Sequence, residues 1–309
     1  MIYAIIEIFP YFRAFAGAFL AEFRNYYYLC VNFTHNIMLG AIIGDIAGSA
    51  YEFNPTNDYN FEMFPPEASF TDDTICTMAV ADAIVSGSDF GRTLQDWCIR
   101  YPSPMGGYGG RFREWVFSPE PRPYGSFGNG SAMRVSPAGE WAETVEEAQD
   151  LALRSALPTH NHPDGIAGAV AVATAIFDCR ALAESALPLN RENILHKGLG
   201  RAITSGRYAS CPEDFSVDVA AARNRCDETC QGTVPVAFAI ILESSSFEDA
   251  IRRAVSLGAD ADTLAAIVGS IAEHLWPIPP SIQAAALSRL PAEFRTLLTR
   301  FAALSPNHS

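Results

Sequence analysis

Two stretches of the chain place carboxylates and threonines at the mouth of an apolar helix. In "SFTDDTICTMAVADAIVSG", Thr71, Asp72 and Asp73 precede a helical pattern of Ile75, Met78 and Ala79 that stops near Gly87. In "SLGADADTLAAIVGSIAEHLW", Asp260, Asp262 and Thr263 precede Leu264, Ile267, Val268, Ile271 and Leu275. One Asp or Thr in such a place caps the helix and is worth ~1 kcal/mol. A cap does not explain Asp72 beside Asp73, or Asp260 with Asp262, because the helix dipole gains little from a second negative group. If the two mouths faced each other, their carboxylates would repel. A pair of hard divalent cations would remove that repulsion, and an all-oxygen donor set of carboxylates, hydroxyls and water suits Mg2+ or Mn2+. Two such ions can orient hydroxyls of a ligand and activate a water as nucleophile. On pattern alone, ordinary caps on two unrelated helices remain the competing reading.

The elements that would have to position these groups are helical, since apolar residues recur at i, i+3, i+4 and strand-like alternation is scarce. "LGAIIGDIAGSAYEF" carries Gly40, Gly44 and Gly48 at four-residue intervals, a smooth stripe that lets another backbone approach closely. Glu52 is expected one turn further along that stripe, seven residues after Asp45 and on nearly the same face. Glu52 reads equally as a functional carboxylate and as a surface charge or cap; for Asp45 the structural reading is favoured. Residues 101–139 are irregular, rich in Gly and Pro, and too long for an ordinary connection. They are expected to form a functional loop region whose backbone N–H groups cradle an anion, although no P-loop spacing is present. In "ALPTHNHPDGIAGAVAVATAIF", His160 and His162 stand just ahead of a periodic run, and "CQGTVPVAFAIILESSSFEDAIRRAVSL" reads as one or two more helices, with Glu248 four residues before Arg252.

Length and charge bound the possibilities. The chain has 309 residues, 49% hydrophobic and 18% charged, enough for a substantial core. A net charge of −14 argues against nucleic acid and anionic membranes as partners and favours divalent cations. The seven cysteines include no CxxC pair, which points to buried thiols in a reducing compartment, the cytoplasm. Cys211, Cys226 and Cys230 lack zinc-type spacing and are disfavoured as a metal site. Residues 1–37 are dense in Phe and Tyr, yet charges interrupt them before any run of the ~20 apolar residues that a spanning helix needs. They read as a partner-binding arm, as an extra helix, or as sequence upstream of a start at Met38, leaving 38–309 as a single domain.

Taken in order, "GAIIGDIAGSAYEF", "FTDDT", "GGYGG", "YGSFGNGSAMRVSPAG", "THNHPDGIAGAVA" and "LGADADTLAAIVGSIAEHLWPIP" resemble the ADP-ribosylglycohydrolase family, in particular its short bacterial members. That resemblance implies an all-α fold, a compact orthogonal multi-helix bundle, with a centre of two Mg2+ or Mn2+ ions. It implies metal ligands at Thr71, Asp72, Asp73, Asp260, Asp262 and Thr263, with Asp262 also serving catalysis, and a catalytic or gating role for Glu52. Gly107, Tyr108, Gly109 and Gly110 would lie against a diphosphate. Ser126, Phe127, Gly128 and Asn129 would line an ADP-ribose cleft, and His160 would contact the substrate. The implied activity is hydrolysis of the bond joining ADP-ribose to a side chain, arginine first, by metal-activated water. The implied partner is an ADP-ribosylated protein or an ADP-ribose-containing small molecule, bound by a monomer. A catalytically inactive relative and an immunity protein against an ADP-ribosylating toxin are the alternatives. The chain departs from the family pattern at Ala259, where a second Gly is usual, and at Trp276-Pro277-Ile278-Pro279, which should alter a helix exit and the cleft rim.

Overall fold

The computed structural model describes residues 38–183 and 219–308, which are helical; among them are no strands, only isolated bridges pairing Thr71 with Met105 and Gly128 with Thr229. The centre is a pair of helices, α1 (Leu39–Ser49) and the much later α11 (Ala261–Ala272). Every residue of both is buried, as expected of helices that are apolar around their whole circumference. A Cβ added at Gly40 would lie 2.1 Å from Gly269 O, at Gly44 2.0 Å from Ala265 O, and at Gly48 2.4 Å from Ala261 O. The two helices therefore run antiparallel with their backbones in contact, and the C-terminal end of α1 meets the N-terminal end of α11. Met38 offers no side-chain cap to α1; Glu273 Oε2 accepts from Gly40 N–H at 3.0 Å instead, beside a 2.9 Å contact of His274 with Glu140. That second carboxylate cluster is accounted for as a helix cap.

The other helices wrap this pair. α2 (Asp72–Ser86) starts at Thr71, whose side chain accepts from Asp73 N–H, and closes on Gly87 at φ 66°. α3 (Phe90–Arg100) is capped by Asp89. Residues 101–139 are less irregular than expected, because three short helices punctuate them: α4 (Gly110–Val116), α5 (Gly130–Met133) and α6 (Ser136–Trp141). α7 (Val145–Ala156) and the long α8 (Pro163–Ala183) pack on each other. The stretch after Thr229 resolves into two helices, α9 (Cys230–Glu243) and α10 (Phe247–Ser256), the latter carrying the Arg252–Glu248 ion pair at 2.8 Å. α12 (Pro280–Leu287) and α13 (Ala292–Leu304) close the bundle.

Three expectations need correction. α1 stops at Ser49, so Glu52 does not continue its glycine stripe. The chain turns there, with Tyr51 N–H on Gly48 O at 2.8 Å, the Tyr51 ring edge-on to Phe61 and its hydroxyl on Glu62 O, and this carries Glu52 out past the helix end. Trp276 and Ile278 are buried in the bundle at the exit of α11 rather than set on a cleft rim. Cys76, Cys98, Cys179 and Cys230 are buried as expected, but Cys226 is exposed. Residues 1–37, with Cys30, and Cys211 lie outside the described residues. No described helix is long and apolar enough to cross a membrane.

The α1–α11 contact yields a test. Gly44→Ala places a methyl where a carbonyl oxygen already sits, and overpacking of this kind costs about 3 kcal/mol. Thermal unfolding followed by circular dichroism should show a melting temperature roughly 10 °C lower. An unchanged transition would mean that the two backbones are not in contact.

Candidate functional site

The meeting of α1 with α11 sets the site. Because Gly48 lies against Asp262 Cα, Asp45, one turn earlier on α1, comes alongside the first turn of α11. The mouth of α2 docks on the same place through Asp45, which is fully buried. Its carboxylate accepts from Thr71 N–H at 3.0 Å, Thr71 Oγ1 at 2.7 Å, Thr74 N–H at 3.1 Å and the Thr74 hydroxyl. Oxygens of Asp45, Asp73 and Asp262 then all lie within 4.8 Å of one another. Thr263 Oγ1 donates to Asp73 Oδ1 at 3.3 Å, and Thr71 caps Asp73 N–H, so both threonines touch the trio. Asp260, Glu52 and Asp72 fall outside that close group but line the same cleft. Asp45, read structurally in the sequence, is thus both the anchor of α2 and a member of the trio.

These carboxylates are in an environment that disfavours their charge. Asp73 and Asp262 are each 3% exposed, and burial raises both well above the usual carboxylate range. Neighbouring charge adds to this, from Asp45, Asp72 and Asp260 on Asp73, and from Asp73, Asp260 and Glu52 on Asp262. Asp72 is raised in the same way, and Glu52 is pushed up to about 7 by burial first and Asp260 next. The ion pairs among the described residues lie elsewhere, so no Lys, Arg or His side chain offsets the cluster. Asp73 Oδ2, Asp262 Oδ1 and Glu52 Oε2 are buried without a hydrogen bond. Buried, unpaired oxygens of hard ligands converging from three elements fit divalent cations of the Mg2+ or Mn2+ class.

Asp73 and Asp262 line a cleft of about 470 Å³, while Asp45 is fully buried and does not border it. Gly107, Gly109 and Gly110 border it with open space where a Cβ would stand. Tyr108 is an anchor for this loop, its buried hydroxyl donating to Tyr101 O at 2.7 Å. Gly106, at φ 76°, is also essential to the geometry, since a Cβ there would sit 2.6 Å from Glu52 Oε2. On the facing wall are Ser126, Gly128 and Asn129, whose amide donates to Asp260 Oδ2 at 2.7 Å. Phe127 is not on that wall; its ring is 46% exposed and leans on His162. His160 lines the cleft, buried, with Nδ1 2.7 Å from Thr159 Oγ1. A larger cavity of about 810 Å³ opens next door, bordered by Ala259 and sharing Glu228 and Asp260, but none of the trio reaches it. The motif "YGSFGNGSAMRVSPAG" contains Arg134, a buried guanidinium in the cleft wall to which the sequence reading assigns no role, although a lone Arg in "SAMRV" stands out in an apolar run.

A stretch of 150 residues is 33% identical to an uncharacterized protein of Archaeoglobus fulgidus, covering 46% of this chain and 47% of that one. Another of 170 residues is 26% identical to ADP-ribosylhydrolase ARH3 of Xenopus tropicalis, covering 45% and 48%. The chain spans about half the length of the curated relatives it matches. A solved structure of an ADP-ribosylglycohydrolase-related protein complex superposes with a TM-score of 0.64 at 22% identity, over 87% of this chain and 96% of that chain, and so shares the fold. The model of the ADP-ribosylglycohydrolase family matches residues 34–276, most of the chain's length, and on that match the chain belongs to this family.

Proposed function

We propose that this protein is a metal-dependent hydrolase that releases ADP-ribose from modified side chains, arginine foremost, at the cleft between α2, α11 and the glycine-rich loops. The observation that carries this reading is the trio Asp45, Asp73 and Asp262, whose oxygens lie within 4.8 Å of one another, with Asp73 and Asp262 lining that cleft. Asp73, Asp262 and Asp260, with Thr71, Asp72 and Thr263, would hold two Mg2+ or Mn2+ ions. When bound, these ions supply neutralising charge and Lewis-acid polarisation of ribose hydroxyls and water. The glycine loop at Gly107–Gly110 and the wall of Ser126, Gly128 and Asn129 would seat the diphosphate and ribose through backbone N–H groups. Glu52, with its carboxyl pushed up to about 7, is suited to take a proton from the attacking water near neutrality. As the leaving group departs, positive charge grows on the ribose, and the surrounding carboxylates stabilise it. All these residues come from one chain, so a monomer suffices.

Three outcomes follow. Carboxylates raised in the folded, cation-free state bind more protons than in the unfolded chain, so cation-free stability falls as pH rises from the carboxylate range through about 7. The gain in melting temperature on adding Mg2+ or Mn2+ should therefore widen from about pH 5 to about pH 8, corresponding to a stabilisation of about 2.7 kcal/mol per site where the cation is in hundredfold excess over Kd. A gain independent of pH would argue against cations at this cluster. Asp262→Asn should abolish both that gain and turnover. Glu52→Gln should keep the gain and lose about a hundredfold in kcat; full turnover would remove Glu52 from the chemistry. Turnover itself is read by incubating the protein and Mg2+ with proteins ADP-ribosylated on arginine or on serine and following ADP-ribose release by mass. Release from neither would sink the assignment.

A further inference from the structure

Behind the cleft wall runs a chain of hydrogen bonds from Arg134 through Thr159 to His160. Arg134, at the C-terminal end of α5, is 1% exposed and makes no ion pair among the described residues. Its Nη2 donates to Ser155 O at 3.0 Å and to Thr159 Oγ1 at 2.8 Å. A guanidinium has only hydrogens to give, so Thr159 Oγ1 is the acceptor in that bond. The same oxygen lies 2.7 Å from His160 Nδ1. Thr159 is fully buried, and among the described residues Nδ1 is the one group in reach that can accept its hydroxyl hydrogen. If Nδ1 carried a hydrogen instead, Thr159 would accept twice and bury its own hydrogen unpaired, at a cost that a buried hydroxyl rarely bears.

We infer that Arg134 and Thr159 are positioning residues that hold His160 as the tautomer with its hydrogen on Nε2, making it a fixed hydrogen-bond donor to a ligand oxygen. The ring's hydrogen bond among the described residues is the one at Nδ1, and Nε2 faces the gap between Gly128 and Gly130, where added Cβ atoms would be 3.8 and 3.4 Å away. His160 itself is 4% exposed and borders the cleft, so its unpartnered Nε2 is left to the ligand space. Burial and the Arg134 charge both disfavour the imidazolium and keep the ring neutral. The ligand atom met there must be an acceptor, such as a phosphate, hydroxyl or carbonyl oxygen. That this oxygen belongs to ADP-ribose rests on the function proposed above; the direction of the hydrogen bonds does not.

The test is nitrogen NMR on the full chain labelled with 15N-histidine, the His160 signals being assigned by their loss in His160→Asn. The ligand-free protein should show a pyridine-type Nδ1 and a pyrrole-type Nε2. In Thr159→Val the ring should shift toward the other tautomer, and ADP-ribose affinity measured by calorimetry should fall about tenfold. Thr159→Ser, which keeps the hydroxyl, should restore both. A wild-type spectrum with the hydrogen on Nδ1 or on both nitrogens overturns the inference, whatever the variants do. So does a Thr159→Val spectrum identical to wild type. The Nε2–H form in a protein that fails to bind ADP-ribose supports the relay and sinks only the choice of ligand.

Discussion

The backbone contact between α1 and α11 governs what every other element can do. Helix axes usually stand 8–10 Å apart because side chains separate them. Here three glycines on one side and Gly269 on the other remove that separation along the whole length of α1. The pair is then a rigid double rod whose register is set by which carbonyl fits which glycine. Since Gly48 lies at Ala261–Asp262, the position of Asp262 relative to Asp45 follows from packing rather than from any bond between them. The carboxylates themselves could not have arranged this, because their mutual repulsion works against it.

That opposition between packing and electrostatics runs through the site. Asp45 is relieved by four donors from the mouth of α2, and this network is also what fastens α2 to α1. Asp260 is relieved by Asn129, which ties the loop ahead of α5 to the start of α11. Asp73 and Asp262 are left with an unpaired oxygen each, while the Thr263 hydroxyl satisfies only one side of Asp73. The fold therefore spends its hydrogen-bond donors on the groups that hold elements together. It leaves bare the oxygens that point into the cleft.

Much of this was readable in the residues. The glycine stripe pointed to a close helix contact, and the paired aspartates at two helix mouths pointed to a cluster of carboxylates, because both are local patterns with one physical cause. The partner of the stripe was not readable, since nothing local says that Gly44 meets Ala265 rather than some other helix. The end of α1 was missed because "SAYEF" continues a helical pattern, and only the packing of Tyr51 on Phe61 turns the chain away. Asp45 was undervalued because a single Asp inside a helix has no distinguishing neighbour in sequence; its four donors come from residues 71 and 74. Phe127 sits inside a motif whose other members face the cleft, and motif membership does not reveal which way a ring points.

The two isolated bridges carry a consequence for how the protein meets a ligand. One joins Thr71, at the mouth of α2, to Met105, just ahead of the glycine loop; the other joins Gly128 to Thr229, the cap of α9. Each rim of the opening is thus stitched to a helix terminus at a single backbone pair. Loops restrained in this way have lost their wandering during folding, so a guest molecule need not freeze them on arrival.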